Sequence, residues 1–418
     1  MKSFLCMVSL LFLFAIRIEA QELELHGFVQ TNFSLRTTNV GEVRTPNGEK
    51  LPDYLLGDER VQLELTRLGD NANLLGRVDL LHDAIDKHTE LDIREVYIDL
   101  TLGKFDVRAG RQIITWGVGD LVFINDVFPK NWVAFLSGQP LQYLKFGSDA
   151  ININFFPGFA SIQLVAIPFY QADVLPRGER LVAFDPLPAM TDRNEVQPEQ
   201  TLENTQIAAR LYRYLGNFDA SLYFYRGFWG SPPGIIVDPD AGLLTFTHPR
   251  LNVYGGSLQG AFLNGVLSLE AGYYDSSDDS DGTHPGIENS QIKFLTGYQR
   301  ALGENLTLGL QYYGEQIQDY SSYERNLPAA FPQRKELRHT LSLRITQLFK
   351  YQTVRLSFFT FYSPNEKDYY LNPEIRYELG NGLWAAVGGI LLGGEKEHTF
   401  FGQFEKNDNL YFVLRYAF

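Results

Sequence analysis

From Leu410 to the C-terminus, Leu410, Phe412, Leu414, Tyr416 and Phe418 alternate with Tyr411, Val413, Arg415 and Ala417. Successive side chains of an extended chain point to opposite faces, so this stretch has one wholly apolar face and one mixed face carrying a cation. A soluble core has no obvious place for such a strand, but the wall between hydrocarbon and a wet interior does. The same pattern opens the chain, with Leu23, Leu25, Gly27, Val29, Thr31, Phe33 and Leu35 on one face and Glu24, His26, Phe28, Gln30, Asn32, Ser34 and Arg36 on the other. Between these ends, alternating runs predict strands near 60–68, 74–80, 93–102, 105–116, 148–156, 160–167, 206–215 and 218–227. Others follow near 251–262, 266–274, 291–299, 306–316, 339–348, 353–362, 369–379 and 383–392. Most approach the ~9 to 11 residues a tilted membrane strand needs.

The connections sharpen this picture. Every second one is short: Gly69-Asp70-Asn71, Gly103-Lys104, Pro157-Gly158, Gly216-Asn217, Asn264-Gly265, 302–305, 349–352 and Gly380-Asn381-Gly382. The others are mostly long and polar, including 117–140, 168–205, 228–250, 275–290, 317–338 and 393–407. The predicted fold class is therefore all-β: a transmembrane antiparallel up-and-down β-barrel of about 18 strands with short periplasmic turns and long extracellular loops. A soluble all-β sandwich would not keep this parity from end to end. An even strand count places both termini on the periplasmic side and lets the last strand pair with the first, leaving no open edge in hydrocarbon.

Composition adds the location. Residues 1–20 read as a signal peptide, with Lys2 as n-region, Phe4 to Ile16 as apolar h-region and a cut after Ala20; the apolar run is shorter than a spanning helix requires. Residues 21–418 form a single barrel domain, integral to the bacterial outer membrane once the signal is removed. The one cysteine, Cys6, lies in the signal, so the mature chain has no disulfide, thiolate metal site or cysteine nucleophile. The formal charge of −14 argues against nucleic acid as a partner. Expected partners are outer-membrane lipid and lipopolysaccharide and a small-molecule or oligosaccharide solute; the terminal Phe418 preceded by alternating aromatics resembles the closing strand of bacterial outer-membrane proteins, which implies the barrel-assembly machinery as a further partner.

The most distinctive stretch runs from Ile93 to Trp132, a hairpin followed by a long loop. Glu95, Tyr97 and Asp99 share one face of its first strand and Asp106 and Arg108 one face of its second. Strict alternation would send Arg111 towards lipid, at about 2–4 kcal/mol if at midplane, so a bulge at Gly110 is expected to return it to the lumen. The pattern Arg94-Glu95, Tyr97, Asp99, then Gly110-Arg111-Gln112, Trp116-Gly117, then Asn125-Asp126 and Pro129 resembles Gram-negative outer-membrane barrels known as a domain of unknown function, near the alginate-export type of eighteen-stranded porin. Ile167-Pro168 and Leu175-Pro176 resemble that family's next loop. The resemblance implies a barrel channel and, for the alginate-export relatives, a strongly basic lumen.

The predicted inner faces carry both signs. Glu95, Tyr97, Asp99, Arg108, Arg111, Arg210, Tyr212, Arg344, Arg355, Arg376 and Arg415 are the expected pore-lining residues, with Arg415 within reach of Glu24 or His26. Such charges serve either as wall-bracing ion pairs or as opposed rows whose transverse field aligns a solute. The loop 117–140, with Phe123, Asp126 and Trp132, is the expected constriction, anchored by Arg111 and Asp126, because its apolar residues are hard to leave facing water. Trp116 and Trp384 read as interfacial girdle residues.

Neither catalytic residues nor a cofactor or metal is expected. The loop from Ser277 to Glu288 matches a calcium loop only in part, lacking its first carboxylate. His339 has no nucleophile in phase with it, although a rim hydrolase built on it is a possible third reading. The function these readings imply is passive or loop-gated passage of a small organic or oligosaccharide solute. The alternative is a closed structural or adhesive barrel with ligand-binding loops.

Overall fold

A computed structural model describes residues 23–41, 43, 50–176, 178–232 and 234–418. The segment 1–20, expected from the sequence to be a signal peptide, lies outside the described residues. Eighteen strands form one sheet: β1 Leu23–Arg36, β2 Tyr54–Arg67, β3 Ala72–Asp83, β4 His88–Leu102, β5 Phe105–Gln112, β6 Ser148–Phe155 and β7 Ser161–Ile167. Then come β9 Gln206–Leu215, β10 Phe218–Phe228, β13 Arg250–Phe262, β14 Gly265–Ser276, β15 Gln291–Leu302 and β16 Leu306–Ile317. The last are β17 Leu337–Phe349, β18 Val354–Ser363, β19 Asp368–Gly380, β20 Leu383–Gly394 and β21 Asn409–Ala417. Three further strands, β8 Asp192–Val196, β11 Gly234–Asp238 and β12 Leu243–Thr247, make a small separate sheet.

Each barrel strand pairs antiparallel with its neighbours, and β21 closes on β1 with Arg415 opposite Gln30 and Phe412 opposite Phe33. Phe418 and Gly27 exchange two backbone hydrogen bonds just beyond the ladder (2.9 and 3.0 Å). No backbone edge is left for hydrocarbon, which supplies no hydrogen-bond partner.

The faces are inverted relative to a soluble protein. Along β1, Val29 and Leu35 are 48% and 43% exposed whereas Gln30, Asn32 and Ser34 are at most 2% exposed. Along β21, Leu410, Phe412 and Tyr416 are exposed and Tyr411 and Val413 buried. Apolar side chains outside and polar ones inside mark a wall between lipid and a polar interior. The short turns, Leu23 and Phe418 lie at one end of the barrel and the loops at the other. Two of the loops are themselves brief: residues 84–87 and 364–367 suffice to join β3 to β4 and β18 to β19.

The wall departs from the sequence expectation around β5. That strand ends at Gln112 rather than Trp116. No register shift occurs at Gly110 (φ 132°); Arg111 stays opposite Val96 and Asp149 and faces outwards. The irregularity falls one strand earlier, where Arg77 pairs with Glu95 but Val78 with Ile93. Arg94 is the extra residue, and this bulge turns both Arg94 and Glu95 inwards.

At the loop end, β11 and β12 form a hairpin and β8 adds in parallel to β12. This flap joins the 168–205 loop to the 229–249 loop. The former also crosses the mouth: Arg180 meets Asp83 (2.6 Å), and Val182 exchanges hydrogen bonds of 2.8 and 2.6 Å with Asn407.

Candidate functional site: a loop seated in the bore

The connection 113–147 carries the largest buried apolar content of any loop and turns into the barrel. A helix, α1 (Trp132–Ser137), starts at Asn131, whose side chain accepts from Ala134 N, and ends at Gly138 (φ 80°). Its neck is closed by a bridge between Lys130 and Lys145. Lys130 Nζ, only 5% exposed, donates to the carbonyls of Asp126 and Phe128 (2.6 and 2.7 Å) and reaches the Asp126 carboxylate. Lys145 reaches the same carboxylate from the other side. Phe123 lies beneath Lys130 (4.5 Å) and edge-on to Trp132 (6.0 Å), whose Nε1 donates to Asp173 (3.1 Å). Asp126 is therefore the internal knot of the loop rather than a tie to the wall.

The ties to the wall come from elsewhere. The Glu270 carboxylate on β14, 3% exposed, accepts from Val118 N (2.7 Å), Gly119 N (3.1 Å), Asn125 N (2.9 Å) and Asn125 Nδ2 (2.9 Å). Beside it, Gly255 and Gly272 face each other across β13 and β14 and leave a notch. A Cβ on Gly255 would lie 1.8 Å from Asn125 Oδ1, and one on Gly272 2.9 Å from Ile124. Further round, Asp120 pairs with Arg344 (2.7 Å) and exchanges backbone hydrogen bonds with the Gln311 amide (2.7 and 2.9 Å).

The far end of the loop grips the opposite wall. Asn409 donates to Leu136 O (3.1 Å), Asn32 to Gly138 O (3.3 Å), Gln139 to Asp58 (2.8 Å), and Arg94 to Gln142 O (2.9 Å). Two buried apolar clusters fill the space on either side. Ile114, Trp116, Ile124 and Phe128 pack against β6 to β15, and Phe135, Leu136 and Leu144 against β2 and β18 to β21. The loop thus spans the bore from β14 to β1. Trp116, buried on Phe128 and bonded to Gln163 (2.9 Å), is a lumenal residue and not a girdle residue. Trp384 likewise faces inwards beneath Arg376 (3.8 Å).

Towards the turn end the bore is lined by charged side chains, most of which keep partial exposure, from 22% at Arg210 to 41% at Glu378, with Glu95 lower at 9%. Asp99 takes Arg108 in a two-pronged pair (2.7 and 2.8 Å) with Tyr97 beneath the guanidinium (3.9 Å). Arg77 bridges Glu64 and Glu95. Arg210 meets Ser221 (2.9 Å) and Asp219 (3.8 Å) and lies over Tyr212 (4.5 Å); Arg355 pairs with Glu374 (3.1 Å) and Arg376 with Glu378 (2.7 Å). Arg415 differs from these. It lies over Phe28 (3.9 Å) and donates to Gln30 (2.8 Å) and Gln142 (3.2 Å), and among the described residues no carboxylate meets it. It therefore bonds neither Glu24 nor His26, which contact each other. Most inward cations are neutralised on their own or an adjacent strand, an arrangement of local struts rather than of two opposed rows.

Arg111 belongs to none of this. Its guanidinium forms a two-pronged pair with Asp149 (2.9 and 3.1 Å) on the outer face, next to the strand ends at the loop rim. A paired charge there escapes the midplane cost, since the penalty falls to about 0–1 kcal/mol near the interface. The roles of pore-lining residue and loop anchor given to Arg111 by the sequence are not what the geometry supports. His339 is also on the outer face, stacked on Tyr312 with Nδ1 2.7 Å from its hydroxyl. Asp279 of the calcium-like loop is taken up by Thr283 N (3.1 Å) and His284 N (2.8 Å). Among the described residues no group of three or more His, Cys, Asp or Glu side chains could hold a metal.

Alternation along β14 sets Glu270 on the inner face and tells no more about it. The tandem Gly255-Gly256 inside a strand is the one sequence sign that a backbone approaches closely there.

The fold is similar to that of solved barrels. OccK10 (OpdN) of Pseudomonas aeruginosa shares 10% sequence identity over 95% of this chain and 99% of that one, with a TM-score of 0.51. OccK11 (OpdR) of the same organism shares 11% over 94% and 95%, at 0.52. A triple mutant of the Rhodopseudomonas blastica porin shares 11% over 95% and 100%, at 0.43. At these identities the likeness concerns the fold. No protein-family model matches the sequence, and no curated protein matches it. The resemblance to barrels of unknown function near the alginate-export porins therefore rests on the motif residues alone.

Proposed function

We propose that the chain is an outer-membrane channel in which the loop 113–147 is a constriction that gates passage. The observation that carries this is the combination of an apolar outer wall, a half-exposed charged vestibule at the turn end and a separate loop across the bore. A barrel serving only as a structural post has no need of an interior built in two layers, one wet and one formed by a removable segment. The loop is tied on both sides, so the resting channel is narrow and opens by displacement of the Gly117 to Asn125 tip. The solute is a small polar organic molecule or oligosaccharide, chosen by paired charges and amides rather than by one dominant sign. The long loops face outwards from the cell, and the partners of the wall are lipid and lipopolysaccharide.

Purified mature chain reconstituted in planar bilayers tests this. Stepwise ion conductance that is blocked by some members of a panel of sugars, uronates and aromatic acids is expected. Correct insertion without ion-permeable steps under any voltage would leave the closed structural barrel as the better account.

A further inference from the structure

The flap over the mouth is held by backbone bonds, such as Ile235 N to Gly286 O (2.7 Å), and by one buried imidazole that joins β8 to the loop bases. His248 sits between β12 and β13 with its side chain 0% exposed. Its Nδ1 lies 2.9 Å from the Trp229 carbonyl oxygen and 2.6 Å from the Tyr170 hydroxyl, and its Nε2 lies 3.3 Å from Glu195 Oε1 on β8. Carbonyls and ionised carboxylates only accept. The Tyr170 hydroxyl has one proton and carbonyl acceptors of its own, Trp229 O at 2.7 Å and Gly230 O at 3.2 Å. Burial pushes the Tyr170 hydroxyl well above its ordinary range, so it keeps that proton.

A doubly protonated ring donates to Glu195 from Nε2 and to the Trp229 carbonyl from Nδ1 while the Tyr170 proton stays on its own carbonyl acceptors, so the protonated ring is the one state that satisfies the ring and both carbonyls together. A neutral ring sets a lone pair against the Glu195 carboxylate, or else draws the Tyr170 proton away from the two carbonyls. The other charged or titratable groups nearby are committed elsewhere. Asp173 accepts from Lys130 N, Trp132 Nε1 and Ser231 Oγ, and Tyr225 donates to Gln206. Arg250 reaches Asn204 and lies over Phe228. Among the described residues Glu195 is the one charge within hydrogen-bond reach of the ring.

We propose that His248 is a proton-operated latch between the 168–205 loop and the 229–249 loop: imidazolium holds β8 and its sheet down on the barrel mouth, and loss of the proton loosens them. Asp173 carries the effect inwards, because it is near Tyr170 in sequence and holds the inner loop at Lys130 and Trp132. Protonation of the ring tightens the flap and loss of the proton frees it. This latch rests on the loop geometry and is independent of whether the barrel conducts.

Hydrogen–deuterium exchange of the full barrel in detergent micelles tests it at pH 5 and pH 8, with His248→Gln and Glu195→Gln measured at the same pH so that intrinsic exchange cancels. Peptides spanning 170–173, 192–196 and 243–248 are expected to exchange about tenfold more slowly in the parent chain than in either variant at pH 5, the effect of a lost charge-assisted hydrogen bond, and about equally at pH 8. A parent-to-variant ratio that is the same at both pH values, or stronger protection at pH 8, would overturn the proposal. If His248→Gln fails to fold, the Glu195→Gln comparison decides on the same criterion.

Discussion

Replacing Glu270 by alanine removes the acceptor for three backbone N–H groups and one side-chain amide of the inner loop. Hydrogen bonds to a charged acceptor contribute about 1.5–3 kcal/mol each, and a buried donor left without a partner costs about 1–3 kcal/mol. The four do not add, because they share one carboxylate and vestibule water can reach the Val118 and Gly119 amides once it is gone. Asn125 keeps its Nδ2 bond to Ala271 O (3.2 Å), and Arg344 still holds Asp120. A net loss of about 3 kcal/mol in the seating of the Gly117 to Asn125 tip is the expected balance, which is roughly a hundredfold shift towards the displaced loop. Single-channel recordings should show a higher mean conductance and faster current noise than in the parent chain, with the wall strands intact by circular dichroism. Glu270→Gln, which keeps one acceptor oxygen, should fall between. Unchanged conductance, noise and proteolytic resistance of the loop in Glu270→Ala would refute the reasoning, since the carboxylate could then not be what seats the tip.

The neighbouring notch makes a steric counterpart: Gly255→Ala places a methyl 1.8 Å from Asn125 Oδ1 and 2.7 Å from Ala271 O, and the overpacking should cost about 1–3 kcal/mol, read as a lower unfolding temperature and an unseated loop. Arg344→Ala removes the tie to Asp120 and should raise conductance less than Glu270→Ala, because Gln311 still holds the Asp120 backbone; equal or larger effects would reverse the ranking. Arg111→Ala is expected to leave conductance and ion selectivity unchanged, as its partner Asp149 lies with it on the outer face; altered selectivity would place the guanidinium in the lumen after all. Deleting Phe418 removes the last backbone pair with Gly27 at the seam and should slow membrane assembly more than it changes conductance, measured as the folded fraction on unheated gels.

The wall of this protein was legible in its sequence because alternation is a local property. The pleat assigns Phe412 and Tyr411 to opposite faces before any partner strand is known, and the short and long connections fix which end each turn occupies. That reasoning reached the eighteen strands and the closure of β21 on β1. Where it failed, the cause lay in contacts between distant segments. Arg111 looked too costly for the outer face until β6 supplied Asp149 opposite it. Trp116 and Trp384 matched the girdle by residue type, but a ring's position depends on what fills the bore beside it. The seat of the inner loop brings Asn125 to Glu270 and Gly255, and its far end brings Leu136 to Asn409. Those pairings exist only once the sheet has closed and set the strands at their stagger around the barrel. Period two decides which way a side chain points; closure decides what it meets.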